Sequence, residues 1–211
     1  MKAWKAVLCF GIMCIFSAGG LTAYNLYDAE RAGRDAWAAL SQVDKKIVAS
    51  CDESTQTKAV EGIDTVPDYV IDRNTPMGEV EVDGRMYIGR IDVPELGISL
   101  PVGSKLSDDG LRYAPCRYTG SVYTGRCVIA GHDYRTHFGP LSAAVPGMDV
   151  LFTDVDGNVF TYTVLGTDTV EMHDFEGAFD GDWDLTLFTC TISGRKRLMV
   201  RCGRVSEGVL M

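Results

Sequence analysis

The sequence has no C-x-x-C pair, and this removes the usual zinc-binding and thioredoxin-type readings of its cysteines. It is short of basic residues, with 20 Lys and Arg against 29 Asp and Glu. A phosphate backbone needs a basic face, so this balance argues against nucleic acid as a partner. No internal repeat or low-complexity tract is visible, which argues against a solenoid or an extended linker protein. No second long apolar run follows the first one, at the N-terminus.

That first run defines the N-terminal part of the chain. Residues 6–27 carry no charge and are long enough to cross a bilayer, for which about 20 residues suffice. Small residues at Ser17, Ala18, Gly19 and Gly20 would suit signal cleavage. The apolar character continues through Leu21 to Tyr27, however, and favours an uncleaved anchor over a cleaved signal. Lys2 and Lys5 precede the span while Arg31 and Arg34 follow it, so the charge bias for orientation is weak. A short N-terminal tail most simply stays inside, placing the rest of the chain outside as a single-pass protein of the cell membrane.

At 211 residues the chain suits one domain plus an appendage. Ala36, Leu40, Val43 and Ile47 recur at helical spacing and predict a juxtamembrane helix continuing from the span. Residues 50–80, with Pro67 and Pro76, read as a linker or tether. From Val80 onward the pattern is one of short strands: 86–91, 98–102, 127–130, 149–152, 158–164, 185–190 and 197–201. Pro94-Glu95-Leu96-Gly97 and Asp156-Gly157 supply turns, the latter a strong hairpin signal, and residues 138–145 suit one short helix. The fold class is mainly β, a closed barrel or a sandwich with few helices.

Seven cysteines are present. Cys9 and Cys14 fall in the apolar run as filler. Cys51, Cys116, Cys127, Cys190 and Cys202 lie beyond it, an odd number that leaves at least one unpaired. Pairing of Cys116 with Cys127 or Cys202 is open, and reduced, buried thiols are the preferred reading.

The chemistry concentrates at Cys190. It ends Leu185-Thr186-Leu187-Phe188-Thr189-Cys190 and precedes the arginine-rich Arg195-Lys196-Arg197-Leu198-Met199-Val200-Arg201, while His132 closes Val128-Ile129-Ala130-Gly131-His132. Nucleophile, proton carrier and fixed cation form a set suited to covalent acyl transfer. The two-residue period puts Thr186, Phe188 and Cys190 on one face. A four-residue loop over 191–194 would set Cys190 opposite Arg195, with Arg197 its diagonal neighbour and Arg201 too distant. Geometry leaves Arg195 and Arg197 as alternatives. Taken singly, such residues are more often an inert core thiol, a loop cap and solvated edge charges.

Thr186-Leu187-Phe188-Thr189-Cys190 resembles the T-L-x-T-C signature of sortases, and Ile129-Ala130-Gly131-His132 resembles their histidine motif. Phe138-Gly139-Pro140-Leu141 and Gly147-Met148-Asp149 are similar to the short helix and turn that follow that motif. The resemblance covers residues 80–205 and implies a closed barrel of about eight strands. Together with the apolar run and the helical spacing that follows it, this divides the chain into a signal anchor at 1–27, a juxtamembrane helix and linker at 28–79 and a catalytic domain at 80–211. The resemblance implies Cys190 as nucleophile, His132 as acid and base, Arg197 rather than Arg195 as oxyanion partner, and Thr189 as an aid to substrate binding. The implied reaction cleaves an L-P-x-T-G-like sorting signal of an exported protein and passes the acyl group to an amine of the cell wall or of another surface protein. A cysteine hydrolase using water as acceptor and a silent peptide-binding barrel are the alternatives. The second membrane span and the lid motif usual in pilin-polymerising members are not evident. No cofactor is required. The acidic segment with Glu171, Asp174, Glu176, Asp180, Asp182 and Asp184 reads as a solvated loop, with calcium activation as its other reading.

Overall fold

The computed structural model describes residues 3–61, 66–171, 179, 181–191 and 195–205; within these, the side chains of residues 3, 5, 6 and 52–61 are not described. Helix α1 (Ala3–Glu61) is continuous through the apolar run and the juxtamembrane segment. It is the one described helix long and apolar enough to cross a membrane, and none of its apolar window is buried among the described residues. Beyond that window the periodic positions do what their spacing predicts. Ala36, Leu40, Val43 and Ile47 are buried together with Ala32 and Ala39, while Trp37, off this stripe, is exposed. A bidentate ion pair fixes this docking: Arg90 donates to both oxygens of Asp44 at 3.0 Å and to the carboxylate of Asp92 at 2.7 and 2.9 Å.

α1 also enters the stretch expected to be a tether. It passes Ser50 and ends at Glu61, because residues 51–61 contain neither glycine nor proline to stop it. Pro67 then stands at the N-cap of a one-turn helix, α2 (Asp68–Ile71). The segment around α2 is docked: Tyr69 stacks on Tyr123 at 4.7 Å, and Met77 is buried in the main core.

Nine strands follow: β1 (Val80–Val82), β2 (Arg85–Val93), β3 (Ile98–Gly103), β4 (Cys116–Ser121), β5 (Gly125–Gly131), β6 (Asp149–Asp154), β7 (Val159–Glu171), β8 (Leu185–Cys190) and β9 (Lys196–Arg204). Helix α3 (Asp108–Tyr113) sits between β3 and β4, and 3₁₀ turns occupy Pro94–Leu96 and Gly139–Ala143. The sheet order is β1-β2-β3-β4-β5-β8-β9-β7-β6, and β6 returns to pair with β2. β2 to β9 therefore close into an eight-stranded barrel, and β1 extends the first half of β2. The choice between barrel and sandwich, open in the strand pattern, is decided by the β2–β6 pairing.

Closure depends on local devices. Gly89 has φ 146°, and a Cβ there would collide with the carbonyl of Thr153 on β6, so the residue must be glycine. The register shift at this point puts Ile88 and Ile91 into the same core. The expected Asp156-Gly157 turn joins β6 to β7, with Gly157 at φ 85°. Asp154, fully buried, organises it by accepting from the backbone N–H groups of Asp156 and Asn158, from Asn158 Nδ2 and from the Tyr123 hydroxyl. The barrel interior holds Ile91, Ile129, Phe152, Phe160, Leu187 and Val200. Each such side chain contributes about 1.5–3 kcal/mol on leaving water. β1, β4 and α3 have no clear counterpart in the sequence pattern. They are short, and only Ser107 marks one in sequence, capping α3 by accepting from the Gly110 N–H.

Candidate active site

The middle of the site is built by strand pairing. β5 and β8 run parallel, with Ala130 beside Phe188 and Gly131 beside Thr189. β8 and β9 run antiparallel, with Thr186 beside Arg201, Phe188 beside Met199 and Cys190 beside Arg197. Alternation sends Val128, Ala130, Phe188 and Met199 to the outer face, where Leu111 of α3, Val170 and Phe179 pack over them. Cys127, Ile129, Leu185, Leu187, Val200 and Cys202 point inward. His132 follows Gly131 off the end of β5, level with Cys190 one strand away. Neighbouring strands lie about 4.8 Å apart, so Cys190 has the histidine on one side and Arg197 on the other.

The pairing corrects the expected hairpin. Thr191 N–H donates to the Lys196 carbonyl at 3.0 Å, so the ladder runs one residue further and the loop starts one residue later than the expected 191–194 turn. Arg197 is the direct cross-strand neighbour of Cys190, not its diagonal one, and Arg195 lies beyond β9 and is exposed. The intervening residues 192–194 lie outside the described residues. Arg201 is excluded for a further reason. It is buried against Asp168, at 3.2 Å from Nε, and donates to Thr186 Oγ1 at 3.4 Å.

Cys190, His132 and Arg197 line one cavity of about 420 Å³ with Leu106, Leu111, Tyr118, Ala130, Gly131 and Phe188. A mostly apolar hollow with few polar groups at one end is the usual form of a small-ligand or peptide site. Leu106, Leu111 and Tyr118 were not singled out in the sequence. They come from the α3 region and β4, and no local signal ties them to Cys190. Tyr118 also meets Phe179 and Phe188, at ring distances of 5.2 and 5.7 Å, and so forms an aromatic wall.

Thr189 does not join them. It shares the inner face with Leu187, is buried, and its hydroxyl has no hydrogen-bond partner among the described residues. Its side chain, expected to aid substrate binding, faces away from the cavity that Cys190 lines, because the residue before an outward-facing Cys190 points inward.

Electrostatics separate the reactive groups from their look-alikes. Cys116, Cys127, Cys190 and Cys202 form no disulfide. Burial pushes the Cys116 thiol up to about 11 and those of Cys127 and Cys202 to about 12, which keeps them protonated and inert. Cys190 is only half-buried. His132 is held below the ordinary histidine value, first by burial, with Asp133 and Asp28 acting in the opposite sense and Arg112 in the same one. His137 is deeply buried near the Ala32 carbonyl and is lowered to about 4 by burial, so it stays neutral. Among the described residues no group of His, Cys, Asp and Glu is arranged to hold a metal ion. Of the acidic segment, Glu171 pairs with Lys196 and Asp184 accepts from the Arg204 N–H, whereas Asp174, Glu176 and Asp180 lie outside the described residues.

Known proteins give the same fold. The barrel is similar to sortase C1 from Streptococcus agalactiae, at 24% identity and TM-score 0.53, covering 76% of this chain and 89% of that one. Sortase C of Streptococcus pneumoniae matches at 24% identity and TM-score 0.53, covering 82% and 95%. Sortase A from Corynebacterium diphtheriae matches at 18% identity and TM-score 0.53, covering 91% and 98%. No curated protein matches the sequence. At these identities the structural likeness concerns the fold, and the sequence supplies the rest: a family model described as the sortase domain matches residues 91–205, more than half of the chain. The chain belongs to the sortase family.

Proposed function

We propose that this protein is a membrane-anchored cysteine transpeptidase. Its substrate would be an exported protein with an L-P-x-T-G-like sorting signal, and its acceptor an amine of the cell wall or of another surface protein. The observation that carries this reading is the placing of Cys190 between His132 and Arg197 on one face and in one cavity. α1 is the anchor, with the barrel on the outer side of the membrane.

Each residue has a step. The Cys190 thiolate attacks the scissile threonine carbonyl, and Arg197 stabilises the oxyanion that forms. As the C–N bond breaks, the His132 imidazolium gives its proton to the departing amine, leaving a thioester on Cys190. The incoming amine passes a proton back to His132, attacks the thioester and releases the thiolate. These steps need thiolate and imidazolium together. Burial of His132 works against the imidazolium, and the carboxylates of Asp133 and Asp28 work for it. Thr189 contributes through the backbone that aims Cys190, since its own side chain faces inward.

The test is the intact mass of the full chain in detergent, incubated with an L-P-x-T-G peptide with and without triglycine. An acyl adduct is expected on the wild type, absent in Cys190→Ala, and transferred to triglycine. Turnover should fall by about 10⁴ or more in that variant. Cleavage with no transfer to any amine would make the protein a hydrolase. Undiminished turnover in Cys190→Ala would overturn the assignment of the nucleophile.

A further inference from the structure

The loop that carries His132 does not stand on the barrel alone. Phe138 N–H donates to the His132 carbonyl at 3.0 Å, and Phe138 is itself fully buried in the core. On its other side the loop leans on α1. Tyr134 Oη donates to Asp28 Oδ2 at 2.9 Å, and Thr136 Oγ1 donates to the Ala29 carbonyl at 2.9 Å. At Gly33 helix and loop are so close that a Cβ would stand 2.6 Å from a Thr136 carbon. The Tyr134 ring lies 4.9 Å from the His132 ring, tilted by 30°. Asp28 is also the first charged residue after the apolar run of α1.

We infer that Asp28 and Tyr134 are positioning residues for His132, so that the end of the anchor helix completes the active site. The inference rests on His132 being the proton carrier. Tyr134 forms one wall beside the imidazole, and its hydroxyl bond to Asp28 fixes the angle of that wall. The Asp28 carboxylate adds negative charge near the ring. The other charged or titratable groups around His132 are Asp133 and His137 of its own loop, Arg112 and Asp108 of α3, and Cys190 and Arg197 in the cavity. They remain in place when Asp28 or Tyr134 is changed.

The experiment measures kcat and KM against pH for the full chain in detergent micelles, with a sorting-signal peptide and triglycine. Tyr134→Phe and Asp28→Ala should each lower kcat about tenfold with KM little changed, and the double variant should be no worse than either. Asp28→Asn keeps an acceptor for the hydroxyl but removes the charge. It should recover most of the turnover while the alkaline limb of the profile moves to lower pH, because the imidazolium has lost a favourable neighbour. Wild-type kcat and pH profiles in all of these variants, or losses that multiply in the double variant, would overturn the inference. If Tyr134→Phe fails to fold, the two Asp28 variants decide the question by the same criteria. His132→Ala separates the two levels: full turnover there removes the underlying reading, whereas its loss beside wild-type Asp28 and Tyr134 variants removes only this inference.

Discussion

The two faces of β5, β8 and β9 use the same residue types for opposite purposes. Inward, Cys127 and Cys202 are fully buried among Ile129, Leu185, Leu187 and Val200, and burial holds their thiols protonated. Outward, Cys190 is half-buried at the mouth of a cavity, with His132 across one strand and Arg197 across the other. The histidines divide in the same way: His137 is sealed beneath α1 and neutral, while His132 borders the cavity. Residue type therefore says little about reactivity here. The face on which strand alternation leaves each residue, and how much water reaches it, says most.

The largest test of this contrast beyond Cys190 itself concerns the arginines. Arg197→Ala should lower kcat/KM by about 10² to 10³, the usual cost of losing an oxyanion donor, while Arg195→Ala should change it by no more than about threefold. Steady-state kinetics with a sorting-signal peptide checks this, and the reverse ranking would mean that the ladder between Cys190 and Arg197 does not set the site.

The second test concerns the sealed histidine. His137 is neutral in the fold, at about 4, against an unfolded value of 6.5. Above 6.5 neither state is protonated there, and the full contribution is present. As pH falls from 6.5 toward 4 only the unfolded chain gains the proton, so stability is lost through that window. The loss should be on the order of 2–3 kcal/mol, and His137→Gln should remove that part of the acid sensitivity. Urea unfolding at a series of pH values reads it directly. An unchanged slope in the variant would show that His137 is not the sealed group it looks to be.

The smallest effect is expected on the inner face. Cys202→Ser puts a hydroxyl where the surroundings are apolar, and should cost about 1–3 kcal/mol of stability with kcat nearly unchanged. Equilibrium unfolding and peptide turnover measured on one preparation would separate the two. A variant equally stable but catalytically impaired would place Cys202 in the site after all.

Much of this was legible one segment at a time. The charge-free run, the 36–40–43–47 helical spacing, the Asp156-Gly157 turn and the alternation around Cys190 are local patterns, and local physics fixes their meaning. The side-chain period of two also decides that Thr189 points away from Cys190, a consequence that a motif match alone obscures. The polarity of residues 51–61 suggests a tether, but they hold no glycine or proline and the helix runs on to Glu61. Leu106, Leu111 and Tyr118 were out of reach, since no sequence distance relates them to Cys190.

Taken alone, the sequence shows which side chains of suitable chemistry are present and which strands carry them, because nucleophile, proton carrier and cation are chemical identities and alternation is a property of each strand. Tertiary structure alone decided the partners. The β8–β9 register placed Arg197 rather than Arg195 beside Cys190. The return of β6 to β2 closed the barrel. The docking of α1 brought Asp28 to Tyr134, 106 positions away in the chain. Register, closure and docking are set by how distant segments share one core. No single segment contains that information.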